Sequence, residues 1–263
     1  MELFHFTPGT TPVLVSVPHA GTHLPEEIAA DMTKEGRAVP DTDWHVEKLY
    51  AGVVRHGAGL LVATHSRYVV DLNRDPAGKP LYPGADNTEV VPARSFANHA
   101  LWSGAGPSPG EVAERIRRYW QPYHDALAAE VARLKQRFGV VVLWDGHSIA
   151  SEVPRFFEGR LPDLNLGTAK GTSCSESLAA RAWSLVGGST FTAVRDGRFT
   201  GGYITRHYGS PSDNVNALQL EVAQSAYMDE AAPQAWNEAR ARRLTALIDR
   251  LIPALTEWAQ ARV

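Results

Sequence analysis

Two apolar segments that each end in a histidine constrain the fold of this chain most strongly. Residues 140–148, VVVLWDGHS, pass from five apolar side chains to a polar group that contains His147. Residues 13–21, VLVSVPHAG, do the same before His19. A short apolar segment of this kind indicates a strand buried on both faces of a sheet. Ligands of open α/β sheets bind at the carboxyl ends of the strands, so we expect both histidines at one edge, with a chain turn at Gly146.

Helical patterns alternate with short apolar segments along the chain. Strands are predicted at residues 11–18, 60–63, 68–72, 140–144, 190–195 and 216–222. Helices are predicted at residues 43–56, with Asp41 or Asp43 as N-cap and Gly57 as its end, and at 109–138, 175–186 and 233–261. This alternation predicts one α/β domain over residues 1–263, with a mixed, mostly parallel sheet and helices on both faces. The irregular segments 75–110 and 150–173 are long enough to predict a functional role.

The composition narrows the class of partner. The 263 residues carry a formal net charge of −3 with no basic cluster, which argues against nucleic acid as the main partner. No stretch approaches the length of a membrane span, and the first residues lack the regions of a secretory signal. The single Cys174 excludes an internal disulfide and fits a reducing compartment. We therefore expect a cytoplasmic protein that acts on a small molecule, and the sequence leaves its oligomeric state open.

His19 and His147 are the leading candidates for metal ligands. Imidazole is the commonest metal ligand in proteins, and a catalytic zinc site has three protein ligands with one open position. Asp43 is the favoured third ligand, in a segment dense in ligand-type residues before a predicted helix. The alternatives for this third position are Asp41, His45, His23 and Glu26. Two histidines and a carboxylate predict one divalent metal ion, with zinc first and iron, cobalt or manganese also compatible.

Three further side chains complete the expected site. Glu221 ends an otherwise apolar strand, where a carboxylate is expensive to bury, and this favours a general base. Its structural alternative is a buried ion pair with an arginine. Asn73 and Arg74 follow the segment 68–72 and suit bidentate binding of a substrate carboxylate. Arg206, after a pair of glycines, offers a second cationic group.

Five motifs taken in order resemble the N-formylglutamate amidohydrolases, also called N-formylglutamate deformylases. They are Val17-Pro18-His19-Ala20-Gly21, Asp41-Thr42-Asp43-Trp44, Asp71-Leu72-Asn73-Arg74, Asp145-Gly146-His147-Ser148 and Leu220-Glu221. The resemblance extends from about residue 11 to about residue 230 and implies hydrolysis of N-formyl-L-glutamate to L-glutamate and formate, the last step of one bacterial route of histidine degradation. It also implies a fold similar to that of the zinc carboxypeptidases.

The resemblance also implies roles for individual residues. In the carboxypeptidase-like relatives a first histidine ligand and an acidic ligand precede an Asn-Arg pair, and a second histidine followed by serine precedes the catalytic glutamate. His19, Asn73-Arg74, His147-Ser148 and Glu221 repeat this order, with Ser148 expected to contact substrate. The chain departs at the acidic ligand, because the position three residues after His19 is Thr22.

A dicarboxylate product implies a second cationic contact, for which Arg206 and Arg67 are the candidates, and Arg206 is also the candidate donor to the tetrahedral oxyanion. Three other functions compete with this interpretation. The chain could be a related deacylase or carboxypeptidase acting on another N-acyl amino acid or peptide, a non-catalytic binding protein on the same fold, or a hydrolase with Cys174 as nucleophile.

Overall fold

The computed structural model describes residues 1–84 and 86–262. Within these ranges one sheet contains the strands β1 (Phe4–Thr7), β2 (Val13–Val17), β3 (Gly59–Ala63), β4 (Val141–Ile149), β5 (Leu164–Gly167), β6 (Ala193–Arg195) and β7 (Val215–Ala223). Their order across the sheet is β1-β3-β2-β4-β7-β5-β6. The four adjacent strands β3, β2, β4 and β7 are mutually parallel, while β1 and β5 pair antiparallel with their inner neighbours. β6 pairs parallel with β5. The predicted mixed, mostly parallel sheet is therefore confirmed.

Helices cover both faces of this sheet. They are α1 (Glu26–Ala29), α2 (Lys34–Arg37), α3 (Val46–Tyr50), α4 (Pro109–Arg115), α5 (Gln121–Phe138), α6 (Glu176–Val186), α7 (Tyr203–Tyr208) and α8 (Glu238–Gln260). Alternate residues of the central strands point to opposite faces, so Val142 and Trp144 join the core under α3, α6 and α8. Val141 and Leu143 join the core under α5. None of the helices in the described ranges is both long and apolar enough to cross a membrane.

Strand β4 continues through the motif that the sequence analysis placed after it. The expected turn at Gly146 is wrong, because all nine residues Val141–Ile149 are extended and buried. The glycine is required by packing: a Cβ atom there would lie 2.5 Å from Cε2 of Tyr50. Tyr50 is fixed in turn, because its hydroxyl accepts a hydrogen bond from Nε1 of Trp144 at 2.9 Å. The backbone of β4 therefore packs directly against Tyr50 of α3, and the end of the strand carries polar side chains.

Several element boundaries differ from the predictions. Residues 68–72 form turns and irregular backbone, whereas β1 and β5 were not predicted. The predicted helix 109–138 is interrupted by a π-helical turn at Ile116–Trp120, which immediately precedes α5. Pro122 explains this turn, since it has no N–H to donate to the carbonyl group four residues earlier. The N-cap of α3 is His45, so the predicted capping by Asp41 or Asp43 is also wrong.

Candidate metal centre

Parallel pairing of β2, β4 and β7 places the ends of three central strands at one edge of the sheet. Asp145 of β4 lies opposite Ser16 of β2, and His147 lies opposite Glu221 of β7. His19 follows the last residue of β2 by two positions. The apolar residues of these strands fix their register against the two cores, so the polar residues at their ends are held together with little freedom.

His19, Asp43 and His147 form a buried cluster at this edge. One potential ligand atom from each residue lies within 4.8 Å of the others. Asp43 reaches the cluster from the loop before α3, and its backbone N–H donates to the carbonyl oxygen of His19 at 3.0 Å. Its Oδ2 atom accepts a hydrogen bond from the backbone N–H of Ser148 at 3.0 Å. Asp43 is thus hydrogen-bonded to both segments that carry the histidines.

Each imidazole ring directs one nitrogen to Asp43 and the other to a second carboxylate. Nε2 of His19 lies 2.7 Å from Oδ1 of Asp71, and Nε2 of His147 lies 2.9 Å from Oδ2 of Asp145. Nδ1 of His147 lies 3.0 Å from Oδ2 of Asp43, and Nδ1 of His19 lies 3.8 Å from the same oxygen. Metal-binding histidines commonly donate their other N–H to a carboxylate, which fixes the ring and its tautomer. This arrangement places both Nδ1 atoms on the side of Asp43, where Nδ1 of His19 also accepts a hydrogen bond from Nη2 of Arg67.

Burial and the mutual interactions of His147, Asp43 and Glu221 shift the pKa values of these three side chains. Burial alone would lower the pKa of His147, but the carboxylates of Asp145 and Asp43 raise it well above its ordinary value. Burial opposes ionisation of Asp43, yet a hydrogen bond with His147 and the charge of His19 hold its pKa below the usual range. Burial raises the pKa of Glu221 to about 7, with Asp43 acting in the same direction.

The residues present fit a divalent metal ion. The buried charged groups around the cluster are the carboxylates of Asp43, Asp71, Asp145 and Glu221 and the guanidinium groups of Arg67 and Arg74. Four carboxylates thus face two guanidinium groups, and the raised pKa of His147 is a consequence of this acidic surrounding. A divalent cation would supply positive charge here in place of the proton on His147. The donor set of two imidazoles and one carboxylate is typical of catalytic zinc, with room for a further ligand from solvent or substrate.

A pocket opens over the cluster. It has a volume of about 590 Å³ including its mouth, and its floor contains His19, Asp43, His147 and Glu221. Its walls come largely from the segments that the sequence analysis identified as irregular, with Tyr82, Thr88, Phe96 and Phe156 among the lining residues. A lining that mixes aromatic side chains with a few polar and charged groups is typical of small-molecule sites. The cluster is therefore buried in the fold yet open to a small substrate.

The predicted substrate-binding residues Asn73, Arg74, Arg67 and Ser148 all line this pocket. Arg74 donates through Nε and Nη2 to Oγ1 of Thr88 and through Nη1 to the carbonyl oxygen of Asn73. The amide of Asn73 is used within the protein, since Oδ1 accepts from the backbone of Ile204 and Nδ2 donates to Oδ2 of Asp145, the carboxylate beside Nε2 of His147. Asn73 therefore supports a candidate ligand, a position that differs from the expected contact with substrate.

Arg67 lies closest to the candidate ligand atoms. Its Nη2 atom donates to Nδ1 of His19 at 2.8 Å and to Oδ2 of Asp71 at 3.0 Å. Its Nη1 atom is 3.8 Å from Oδ1 of Asp43. Burial opposes its charge, but Asp71 and Asp43 raise the pKa of Arg67 above its ordinary value. This guanidinium is a fixed positive charge beside the cluster.

Arg206, for which the sequence predicts a catalytic role, is not among the described residues that line the pocket over the cluster. Its guanidinium donates to the carbonyl oxygens of Gly201 and Leu81 and to Oγ1 of Thr200. It also lies 5.2 Å from the centre of the Tyr82 ring. Each of its three nitrogens thus makes a hydrogen bond, and Arg206 connects the segment around residue 81 to the start of α7.

The alternative third ligands point elsewhere. Oδ2 of Asp41 accepts from the backbone of Phe96, Nε2 of His45 donates to the carbonyl oxygen of Pro233, and Glu26 is exposed on α1. The ring of His23 packs edge-to-face on that of His65 at 4.8 Å. None of these four belongs to the cluster that the described residues form.

Cys174 is buried immediately before the N-cap of α6. Burial raises the pKa of its thiol to about 12. A nucleophilic cysteine needs a lowered pKa and access to substrate, so this environment argues against a role in catalysis.

Sequence reasoning assigned no role to four residues that shape the site. Asp71 and Asp145 orient the two histidines, and each stands two positions before a residue that the analysis did select. For Asp145 that spacing was a usable signal, because alternate residues of an extended strand share a face, whereas Asp71 lies among turns. Gln219 and Arg198 also line the pocket. Arg198 lies far from every motif, and the sequence alone gave no sign of its position.

Comparison with known proteins agrees with this fold and site. Residues 11–228 match the model of the N-formylglutamate amidohydrolase family. The chain is 46% identical to the N-formylglutamate deformylase of Pseudomonas aeruginosa and 42% identical to that of Pseudomonas putida, covering 99% of this chain and 98% of each relative. The crystal structure of N-formylglutamate amidohydrolase from Ralstonia eutropha JMP134 matches all of both chains with a TM-score of 0.85 and 27% identity.

Proposed function

The chain belongs to the N-formylglutamate amidohydrolase family, and we propose that it hydrolyses N-formyl-L-glutamate to L-glutamate and formate at the cluster of His19, Asp43 and His147. The observation that carries this proposal is the orientation of both imidazoles toward Asp43 at the floor of a pocket that also contains Glu221 and Arg74. The family supports the substrate, and the side-chain geometry supports the reaction type, a metal-assisted hydrolysis of an amide bond.

Nδ1 of His19, Nδ1 of His147 and the carboxylate of Asp43 would hold one divalent metal ion, for which zinc is the first choice. The histidine and carboxylate donor set supports this choice. When bound, such an ion lowers the pKa of water and polarises a carbonyl oxygen. With the ion bound, Asp71 and Asp145 would accept the opposite N–H of each ring and so fix the tautomer whose Nδ1 atom carries no proton.

Glu221 is the proposed general base. It lies beside His147 in the sheet register and lines the same pocket. Nε2 of Gln219 donates to its Oε2 atom at 2.9 Å, and Oε1 would accept from the reacting water molecule. Glu221 would take the proton of that water as its oxygen attacks the formyl carbon. It would then pass the proton to the amide nitrogen as the C–N bond breaks, giving formate and the free amine.

The two buried arginines have distinct proposed roles. Arg67 lies beside the candidate metal ligands and would donate to the developing oxyanion, in the place that the sequence analysis gave to Arg206. Arg74 keeps donor capacity on Nη1 and Nη2 and would bind a substrate carboxylate. Ser148, whose hydroxyl accepts from Tyr227 at 2.8 Å, would contact the substrate beside His147.

The test is formate release from N-formyl-L-glutamate by the purified protein, before and after chelation and after adding zinc back. Release that is lost on chelation and restored by zinc supports substrate and metal together. A protein that binds metal stoichiometrically but releases no formate refutes the substrate. Parallel assays with N-acetyl- and N-succinyl-L-glutamate measure the competing deacylase function. The expected products suit the last step of one route of histidine degradation, which would occur in the cytoplasm.

A further inference from the structure

Arg198 presents unused hydrogen-bond donors to the pocket over the cluster of His19, Asp43 and His147. Its Nε atom donates to the carbonyl oxygen of Phe156 at 3.0 Å. In the described part of the chain, the structure records no hydrogen bond or ion pair for its Nη1 and Nη2 atoms. The side chain is half-buried and belongs to the pocket lining together with Arg74. A guanidinium group placed in this way has the planar pair of donors that a carboxylate accepts.

The guanidinium of Arg198 is held in place without using these donors. Its Cζ atom lies 5.1 Å from the centre of the Tyr82 ring and 5.4 Å from that of Phe199. Tyr82 is itself restrained by Arg206, whose guanidinium packs on the same ring and hydrogen-bonds to the carbonyl oxygen of Leu81. The positive group is therefore oriented before any ligand arrives, which reduces the entropy lost on binding.

No acidic group of the described pocket lining competes for Arg198. Asp86, which shares the lining, is paired with Arg155 through two hydrogen bonds of 2.7 and 2.9 Å. Asp43 and Glu221 lie at the floor of the pocket with the histidines. The unsatisfied positive charge at the outer wall therefore suits an anionic group supplied by the substrate.

Of the three arginines in the described lining of the pocket, Arg74 and Arg198 suit the two carboxylates of an N-acyl glutamate. Arg74 lines the pocket and its guanidinium interacts electrostatically with Asp71 and Glu221, so Arg74 lies on the side of the cluster and of the reacting amide. The α-carboxylate is attached to the carbon that carries this amide. Arg198 contacts Tyr82 and Phe156 in the outer segments. The side-chain carboxylate lies two methylene groups beyond the amide-bearing carbon and reaches farther toward the mouth.

We propose that Arg198 binds the side-chain carboxylate of the substrate and makes the enzyme selective for acidic N-formyl amino acids. This inference rests on the proposed function. Arg74 binds the α-carboxylate common to all N-formyl amino acids, and Arg198 distinguishes glutamate from its neutral analogues. It replaces Arg206 and Arg67 as the second cationic contact that the sequence analysis expected.

The test compares N-formyl-L-glutamate with N-formyl-L-glutamine, which has the same shape but no side-chain charge. Arg198→Met retains apolar packing against Tyr82 and Phe199 while removing the donors. We expect kcat/KM for N-formyl-L-glutamate to fall by roughly 10- to 100-fold, the usual effect of losing a charge-assisted hydrogen bond. The value for N-formyl-L-glutamine should change by less than about threefold. Arg198→Lys should recover part of the preference, because it restores the charge without the planar fork.

Arg206→Met is the matched control, since this arginine packs on the same Tyr82 ring but lies outside the pocket over the cluster. Arg206→Met should change kcat/KM by the same factor for N-formyl-L-glutamate and for N-formyl-L-glutamine. Inhibition by the products L-glutamate and L-glutamine gives a second measurement that does not depend on turnover of a poor substrate. Arg198→Met should weaken inhibition by L-glutamate but not inhibition by L-glutamine. Melting curves and metal content establish that each variant is folded.

Two results would overturn the inference in distinguishable ways. If the wild-type protein releases no formate from N-formyl-L-glutamate, the proposed function fails and this assignment fails with it. If the wild-type protein is active but Arg198→Met lowers kcat/KM equally for both substrates, or leaves the glutamate preference intact, the proposed function stands and the assignment to Arg198 is wrong.

Discussion

Replacing Glu221 with glutamine tests the proposed base most directly. The side chain is buried, and Nε2 of Gln219 donates to it at 2.9 Å. A glutamine can accept the same hydrogen bond through its own carbonyl oxygen, so we expect a change in unfolding free energy below about 1 kcal/mol. Loss of a general base typically lowers a rate by about 10²- to 10⁴-fold, or roughly 3–5 kcal/mol of transition-state free energy. The variant should therefore fold, bind metal and lose turnover.

The assay for Glu221→Gln combines formate release, metal content per chain and a melting curve. Glu221→Asp is the matched control, because it keeps the carboxylate but withdraws it by one methylene group, and its kcat should fall between those of the wild type and Glu221→Gln. A Glu221→Gln protein with full metal content and a kcat within about tenfold of the wild type would refute the assignment. Loss of metal in this variant would instead identify Glu221 as a ligand.

Three further changes test the support of the site. Asp145→Asn removes the charge that faces Nε2 of His147 and should weaken metal affinity by about 10- to 100-fold, measured by competition with a chromophoric chelator; unchanged affinity would refute its role. Gly146→Ala should cost about 1–3 kcal/mol in chemical denaturation, because its Cβ would overlap the Tyr50 ring. Burial lowers the pKa of His124 from 6.5 to about 4, so between these pH values the unfolded chain binds a proton that the folded chain does not. The free energy of unfolding should therefore fall by up to about 3 kcal/mol as the pH drops from about 6.5 to about 4. His124→Gln should lose that dependence, and an unaltered pH profile would contradict it.

The sequence predicts the inner part of the site because local patterns determine it. The apolar segments before His19 and His147 identify buried strands, and parallel pairing then requires their ends to meet at one edge. The alternating pattern that ends near Glu221 adds a third strand to the same edge. Gly139 is also a local signal, because a glycine with a positive φ, here 71°, ends a helix, and it ends α5. Such features depend on neighbours within a few residues.

The outer part of the site could not be predicted in this way, because it depends on contacts between distant segments. Asp71 and His19 are 52 residues apart, and the backbone around Asp71 forms turns that carry no period. The sequence shows Arg206 beside a glycine pair but not that its donors are used by neighbouring backbone. The pocket position of Arg198 likewise depends on packing against Tyr82, which lies 116 residues earlier.

The departure at Thr22 follows from how the chain leaves β2. Gly21 is pressed against the segment after β3, since a Cβ atom there would lie 2.3 Å from the carbonyl oxygen of His65. The backbone N–H of His23 then donates to Thr64, which turns Thr22 outward into solvent. A glutamate at this position would be directed away from the cluster. The acidic group must therefore come from another segment, and Asp43 arrives with its backbone hydrogen-bonded to His19 itself. The exposure of Thr22 and the burial of Asp43 beside His19 are therefore consistent with Asp43 as the acidic ligand that we propose.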